Sequence, residues 1–517
     1  MQRTFLLIFG ILLTVSVFSQ ELPKKLHYVE QMLPYPIYPY LEKTVDASRR
    51  FQNLFYETLI DDNKQNNGYE SRHINLESCQ LNGKQFVTEY IKGWYWHDNK
   101  RLVTIDDLKY SIKVANDFGV FNPIIINEIK TEGNNLILEL GANYPSSIKS
   151  DILDKMRHVL IVPVGSKNDL SSFSKLPSGT GAFRWDETEG RKIKLYSING
   201  DMSPLGQPNI DDVIIEEIPL TISHWTNMQN FGQINLLIES TRFSKTAVKD
   251  LPDYKLKPYA SDKVSFLLFN YNNDLYDDKN FRLAIDLSIN KERLVNETLQ
   301  GEADIMSGPF SNKSPYYDPT VADNGYNPIK AEELLNTYLK KDGDYFERDG
   351  KPISLKLIYD RNQRNEEGDV IDQIESALQN LGLKVTKKAL ITPNYLVALK
   401  QGRFDIAYYK HPYDRRSFSD LLFASKALLK EKGLSDLNFG NYKDKKVDVL
   451  VEQWHDAEDR MSKNKIGKQF HKTLKDDVAS IFLFSQTSYA IHHKSIQPII
   501  VPYYFFGRPH EWKISKE

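Results

Sequence analysis

Cysteine is nearly absent: Cys79 is the only one in 517 residues. A single thiol excludes an intrachain disulfide and every zinc site built from several cysteines. Charge of one sign is not in excess either. Lys plus Arg number 67 and Asp plus Glu 69, for a formal net charge of −2, which argues against nucleic acid as a partner. After the first 20 residues no apolar stretch approaches the roughly 18 residues that suggest a membrane span. Repeats, low-complexity tracts and long Pro/Gly/Ser linkers are missing. With 40% hydrophobic and 26% charged residues, the chain has the composition of a globular protein, not of a disordered or fibrous one.

Motifs of catalysis are missing as well. There is no Gly-rich phosphate loop, no Gly-x-Ser-x-Gly elbow, no His-Glu-x-x-His and no dinucleotide fingerprint. Gly179-Thr180-Gly181 is too short to cradle a phosphate and reads as a tight turn. Asp61-Asp62-Asn63 with Gly68 lacks the ligand spacing of a calcium loop. His492 and His493 are neighbours in a β-like stretch, so alternation sends them to opposite faces and makes them poor joint metal ligands. Cys79 has no placed base and reads as a buried structural thiol. No metal, cofactor or catalytic residue is expected. A hydrolytic carboxylate pair stays open, because acidic residues are plentiful.

What is present begins with the N-terminus. Arg3 is the only charge in the first 20 residues, and residues 5–17 (FLLIFGILLTVSV) form an apolar or small run of 13. As a helix that run spans about 20 Å, short of a bilayer core of about 30 Å. Val17-Phe18-Ser19 puts small residues at the −3 and −1 positions of a cleavage site. Residues 1–19 therefore read as a secretory signal peptide, the alternative being an N-terminal anchor helix. No cysteine stands at the cleavage point to carry a lipid. The expectation is a soluble protein in the periplasm of a two-membrane cell.

Beyond it, short β-like runs alternate with helical segments, the pattern of an α/β chain. Strands are expected near 136–140, 159–163, 193–196, 264–270, 353–359, 404–409 and 481–484. Helices are expected near 47–59, 105–116, 280–288, 329–339, 368–381 and 445–463. Thr104 with Asp107 predicts a capping box for the second of these. Asn327-Pro328 opens the fourth, and Gly382 closes the fifth.

A resemblance runs along most of this chain. DKNFRLAIDLSIN (278–290) followed by KERLV resembles the "DVRVRQALSYAIDREKIV" helix of the extracellular solute-binding proteins, family 5, the oligopeptide-, dipeptide- and nickel-type receptors of ABC importers. Other blocks follow in the family's order. LFYETLI (54–60) resembles "VYEGLV", and residues 90–113 resemble "LRKGVKFHDGTPLTADDVVYSLK". SGTGAF (178–183) resembles "VGTGPY", and GQINLLI (232–238) resembles "GEIDIV". SGPFSNKSPYYDP (307–319), NPIKA (327–331), QNLGLKV (379–385) and residues 395–407 match four further blocks.

The resemblance implies a two-lobed periplasmic binding protein clamshell of class II type with an extra inserted domain, its mixed β-sheets flanked by helices. Domain I would comprise 20–60, 170–260 and 485–517, domain II 61–169, and domain III 261–484. Two extended crossings, near 257–264 and 482–488, would join the lobes as a strand hinge. It also implies a receptor that captures a peptide or similar small solute by hinge closure, does no chemistry on it, and presents it to an ABC permease in the inner membrane. The receptor would be a monomer. A ligand bridging both lobes stabilises the closed state through its differential contacts.

The resemblance places the site in the loop after residues 404–409. Here FDIAYYKHPYDRRSF (404–418) stands where the family has "FDMALLGWGADYPDP". Asp414 then falls on the family aspartate that pairs with a peptide's α-ammonium, and His411 takes the place of its tryptophan. A turn aspartate is the alternative for Asp414. The family's "YPDP" is replaced by Arg415-Arg416-Ser417-Phe418. Lys410, Arg415 and Arg416 either neutralise Asp414, clamp an anionic ligand, or form a solvated basic loop. His411, Tyr408 and Tyr413 are expected to line the cleft, the alternative for each being packing in the core or at the rim. Tyr35 and Phe484 are assigned from position alone. The same fold holding a nickel chelate, haem or an oligosaccharide remains an alternative, as does an exported hydrolase.

Overall fold

Residues 264–269 read Val-Ser-Phe-Leu-Leu-Phe. A run so apolar fits a strand covered on both faces, and it forms one end of the longest strand in the molecule. The structure is a computed structural model. It describes residues 24–515 apart from 31, 35–36, 42–44, 63–68, 99–100, 122–123, 145–147, 176, 203–204, 219–233, 239–247, 249–250, 362–363, 413–419, 432–435, 458 and 500–505. The expected signal peptide, 1–19, lies outside the described residues.

The large sheet has eleven strands. In chain order they are β1 (Lys25–Glu30), β2 (Phe183–Glu189), β3 (Lys192–Ser197), β4 (Asp212–Glu217), β5 (Leu236–Ile238), β6 (Tyr254–Phe269), β7 (Ala303–Ile305), β8 (Ser354–Asp360), β9 (Lys384–Leu390), β10 (Ile406–Pro412) and β11 (Ile481–His493). Their spatial order is β9-β8-β10-β6-β11-β5-β1-β4-β3-β2, with β7 added on β11. The antiparallel pair β6–β11 is the axis of this sheet. Tyr254 to Ala260 pair in steady register with His493 to Thr487. The register then slips: the next rung joins Val264 to Ser485. Both strands are polar at the slip, with Ala260-Ser261-Asp262-Lys263 on one and Ser485-Gln486-Thr487-Ser488 on the other.

Apolar cores lie on either side of that polar break. On the 264–269 side, alternation splits the strand between two of them. Val264, Phe266 and Leu268 pack with Phe310, Leu399, Phe423 and Leu474. Leu267 and Phe269 face the other way, onto Phe281, Leu357 and Leu378. On the far side, Leu26, Tyr28, Phe55, Val213, Ala490 and Trp512 form a third core. Val29, Ile234, Leu237 and Ile491 form a small fourth one. A fifth belongs to residues 59–161, where Phe86, Trp96, Ile112, Leu138 and Ile152 fill the space under a separate four-stranded antiparallel sheet.

Eight helices matter for the argument: α1 (Val45–Phe55), α2 (Ile105–Asp117), α3 (Ile148–Met156), α4 (Lys279–Ser288), α5 (Pro328–Asn336), α6 (Arg364–Asn380), α7 (Lys445–Asp456) and α8 (Arg460–Asp477). The capping box at Thr104 and Asp107 is formed, and Asn327 caps α5 with Pro328 in its first turn. Gly382 follows α6 at φ +93°, a conformation that favours glycine.

Two expectations are corrected. The single helix over 445–463 is two helices. Ala457 is extended (φ −70°, ψ 126°), and the Asp459 carboxylate accepts the Ser462 N–H and starts α8, which runs on to Asp477. The cap competes successfully with helix continuation. Residues 159–163 form no strand beyond one bridge between Leu160 and Thr58. Their backbone groups go instead to Leu59, Glu57 and the Ser111 hydroxyl.

Candidate functional site

The polar break in the β6–β11 ribbon lies between apolar cores, and β10 ends on it. Ser265, Val264 and Lys263 of β6 face Lys410, His411 and Pro412 of β10. Residues 413–419, which follow directly, lie outside the described residues, and with them Tyr413, Asp414, Arg415 and Arg416. Tyr35 lies outside them too.

Along β10 the side chains alternate. Tyr408 points into one core, is fully buried, and its carbonyl accepts the Tyr395 hydroxyl at 2.7 Å. Tyr409 points the other way and stacks on His411, centroids 6.0 Å apart, with Phe266 edge-on at 5.4 Å. Lys410 shares the Tyr408 face, and its Nζ lies 3.5 Å from the Gln486 Oε1 at the break. Gln486 is opposite Ala303 of β7, and the Thr487 N–H donates to the Glu302 carbonyl, so β7 braces the same point.

Two of the expected cleft residues are thereby corrected to core positions. Tyr408 is enclosed because this half of the sheet is covered on both faces, so an alternating position is not an open one. Phe484 is 1% exposed in the same core as Tyr408. A second register slip, which makes Leu483 an extra residue between the Ser265–Phe484 and Phe266–Phe482 rungs, turns Phe484 onto that face.

Burial sets the chemistry at the β10 end. It pushes the His411 imidazole down to about 4 and the Tyr409 phenol up to about 12. At neutral pH both are uncharged, so Lys410 is the charge that β10 brings to the break. The described part of the site is an aromatic, hydrogen-bonding wall with a cation beside it. Among the described residues no group of three or more His, Cys, Asp or Glu is placed to hold a metal. Cys79 is buried, its thiol is pushed up by burial, and it donates to Thr88 Oγ1 at 3.2 Å, as a structural thiol does.

Gln486, Glu302 and Ser265 were not singled out from sequence. Their place at the break depends on a strand slip and on a strand added from 180 residues away, and neither leaves a local signature. Conversely, several residues that carry the sequence resemblance do structural work. Arg282 of α4 is buried and donates to the carbonyls of Asp477 and Val478 at the end of α8, and to that of Tyr276. Lys291 is buried between Asp286 at 2.8 Å and Asp323 at 2.5 Å. Gly179 and Gly181 lie against the end of α1, where a Cβ on Gly179 would sit 2.1 Å from the Phe55 carbonyl oxygen. His97 locks that turn: its Nδ1 accepts the Gly179 N–H and its Nε2 donates to the Gly181 carbonyl.

Residues 91–420 match the family model described as "Bacterial extracellular solute-binding proteins, family 5 Middle". The oligopeptide-binding protein AppA of Bacillus subtilis (strain 168) is 25% identical over 92% of this chain and 88% of its own. The nickel-binding protein NikA of Staphylococcus aureus (strain NCTC 8325 / PS 47) is 22% identical over 78% of this chain and 74% of its own. The solved structure of Bacillus subtilis AppA in complex with a nonapeptide superposes with a TM-score of 0.70 at 20% identity, covering 96% of this chain and all of that one. The shared fold is a two-lobed one.

Proposed function

The chain belongs to the bacterial extracellular solute-binding proteins, family 5, and from that premise we propose that it captures a peptide-like solute by hinge closure and hands it intact to an ABC permease. The observation that carries the reading is the β6–β11 ribbon. Two long strands cross together between separate cores, and the first of their two register slips falls at a polar point. Such a crossing lets two rigid bodies rotate while each core stays packed. A solute held between them stabilises the closed form by the contacts it makes to both. Water leaves the groove on closing, which strengthens every polar contact inside.

Peptide is the favoured guest class because a relative matched over nine-tenths of this chain is an oligopeptide-binding protein. In this reading His411, Lys410 and Tyr413 border the guest, and Asp414 supplies the counter-charge for a primary ammonium. Arg415 holds the guest's carboxylate end. A desolvated ammonium needs such a partner. The chain acts outside the cytoplasmic membrane, in the periplasm, after export directed by residues 1–19.

The test is native mass spectrometry of the purified protein, followed by small-angle scattering with the guest that is found. The expected result is a set of short peptides and a smaller radius of gyration when they are added back. A guest recovered in chemically altered form, or a profile that stays extended with every peptide, overturns the proposal.

A further inference from the structure

Away from the large sheet's strands in sequence, a cation of one body is seated on a carboxylate of another. Lys463 lies on α8, which packs into the core of Phe266 and Phe470. Asp151 lies on α3, whose Ile148, Ile152 and Met156 belong to the core of residues 59–161. Lys463 Nζ is 2.8 Å from Asp151 Oδ1, across 312 positions of sequence. Among the described residues no other side-chain ion pair joins 61–169 to 261–484. Lys463 is 7% exposed, and Asp151 is its only ion-pair partner among the described residues.

The seat is prepared on one side only. The Lys463 ammonium lies over the Trp454 indole, 4.5 Å from its centroid, and Trp454 is held edge-on by Tyr316 at 6.1 Å. The aromatic ring of the C-terminal lobe holds the cation in place before any partner arrives, so little side-chain entropy is lost when it pairs. The carboxylate that completes the pair comes from the other body. Parting the bodies separates the two charges and returns both to water. Closing them removes water from an ion pair that is already aimed.

We infer that Asp151 and Lys463 are a latch that holds the lobes together without a guest and so sets the open–closed equilibrium. The inference rests on the hinged reading above only in requiring that the two bodies can part. A guest that binds between the lobes meets a protein already partly closed, and its apparent affinity scales with that closed fraction. Because the Asp151 side chain keeps a fifth of its surface exposed, salt weakens the pair.

The experiment is pulsed electron–electron distance measurement on guest-free protein carrying Cys79→Ala and spin labels at Glu132 and Lys446, both exposed. Asp151→Asn and Lys463→Gln are each expected to lower the ratio of short to long distances at least about threefold. The double variant Asp151→Asn with Lys463→Gln is expected to lower it no further than either single change. Raising sodium chloride from about 50 to 500 mM is expected to shift the wild-type distances and not those of the single variants. Identical distributions in all proteins, a long-distance population only in the wild type, or single effects that add in the double variant overturn the latch. Because no guest is added, failure to find any guest defeats the receptor proposal alone, and unchanged distances with normal guest binding defeat the latch alone.

Discussion

One strand, β6, has two contrasting halves. From Val264 to Asn270 every residue is buried, with a core on each face. From Tyr254 to Tyr259 the pattern is half-buried and exposed, with Lys255, Lys257 and Pro258 exposed. Its partner β11 divides the same way: residues 481–485 are buried, 486–488 are half-buried, and Ala490 and Ile491 re-enter cores. Same ribbon, same hydrogen-bonding ladder, yet one half is anchored from both faces and the other mainly from one. The difference shows how a continuous sheet can serve two bodies. Rigidity comes from side-chain packing, and where packing stops the ladder alone permits bending.

The strongest way to break that contrast is to hollow the anchored half. Phe266→Ala leaves a cavity among Phe423, Phe482 and Tyr409 and is expected to cost about 4 kcal/mol in urea unfolding. A loss below about 1 kcal/mol would show that the half is less anchored than its burial implies.

Acid acts alike on two separate cores. Burial pushes His97, beside α1, and His471, on α8, down to about 4 from an ordinary 6.5. Between those values the unfolded chain binds protons that the folded one refuses. Stability therefore falls as pH drops from about 6.5 to about 4 and levels off below, by roughly 3 kcal/mol for each histidine. His471→Gln should flatten part of the slope for the C-terminal lobe, where the imidazole lies over Gly308 and stacks on Phe310 at 5.9 Å, and leave that of the His97 body. Equal slopes before and after the change would count against the assignment.

On the proposed reading of the site, Asp414→Ala is expected to weaken binding of the recovered peptide at least tenfold in calorimetry, about 1.4 kcal/mol. Unchanged affinity would remove Asp414 from the site. The smallest effect belongs to the outer half. Leu256→Ala, at a half-buried position against the small Ile234–Ile491 core, is expected to cost about 1 kcal/mol, and a cost equal to that of Phe266→Ala would erase the contrast.

The same contrast explains what was legible. The expected strands 264–270 and 481–484 match the anchored halves, because continuous burial writes itself as a continuous apolar run. The outer halves, 254–263 and 485–493, were read only in pieces, as extended crossings near 257–264 and 482–488 and a β-like stretch at His492-His493; there Lys, Pro, Ser and Gln alternate with apolar residues in no clean period. Caps were readable at Thr104 and Asn327, since a cap needs only its own next three residues. The break after Asp456 was not, because lysine-rich helices on both sides mask it. Tyr408 and Phe484 were misassigned to the groove for a related reason: an aromatic residue beside a predicted cleft looks the same whether the sheet is covered on one face or two.

By itself the amino-acid order determined the α/β class, the helix caps and the family, all of which depend on local pattern or on motifs of a few residues. Tertiary structure alone decided that Arg282 serves the end of α8, that Leu483 turns Phe484 inward, and that Lys463 meets Asp151. Those contacts join positions up to 312 apart. Their strength depends on burial and on which face a strand presents, quantities that exist only once the cores have packed.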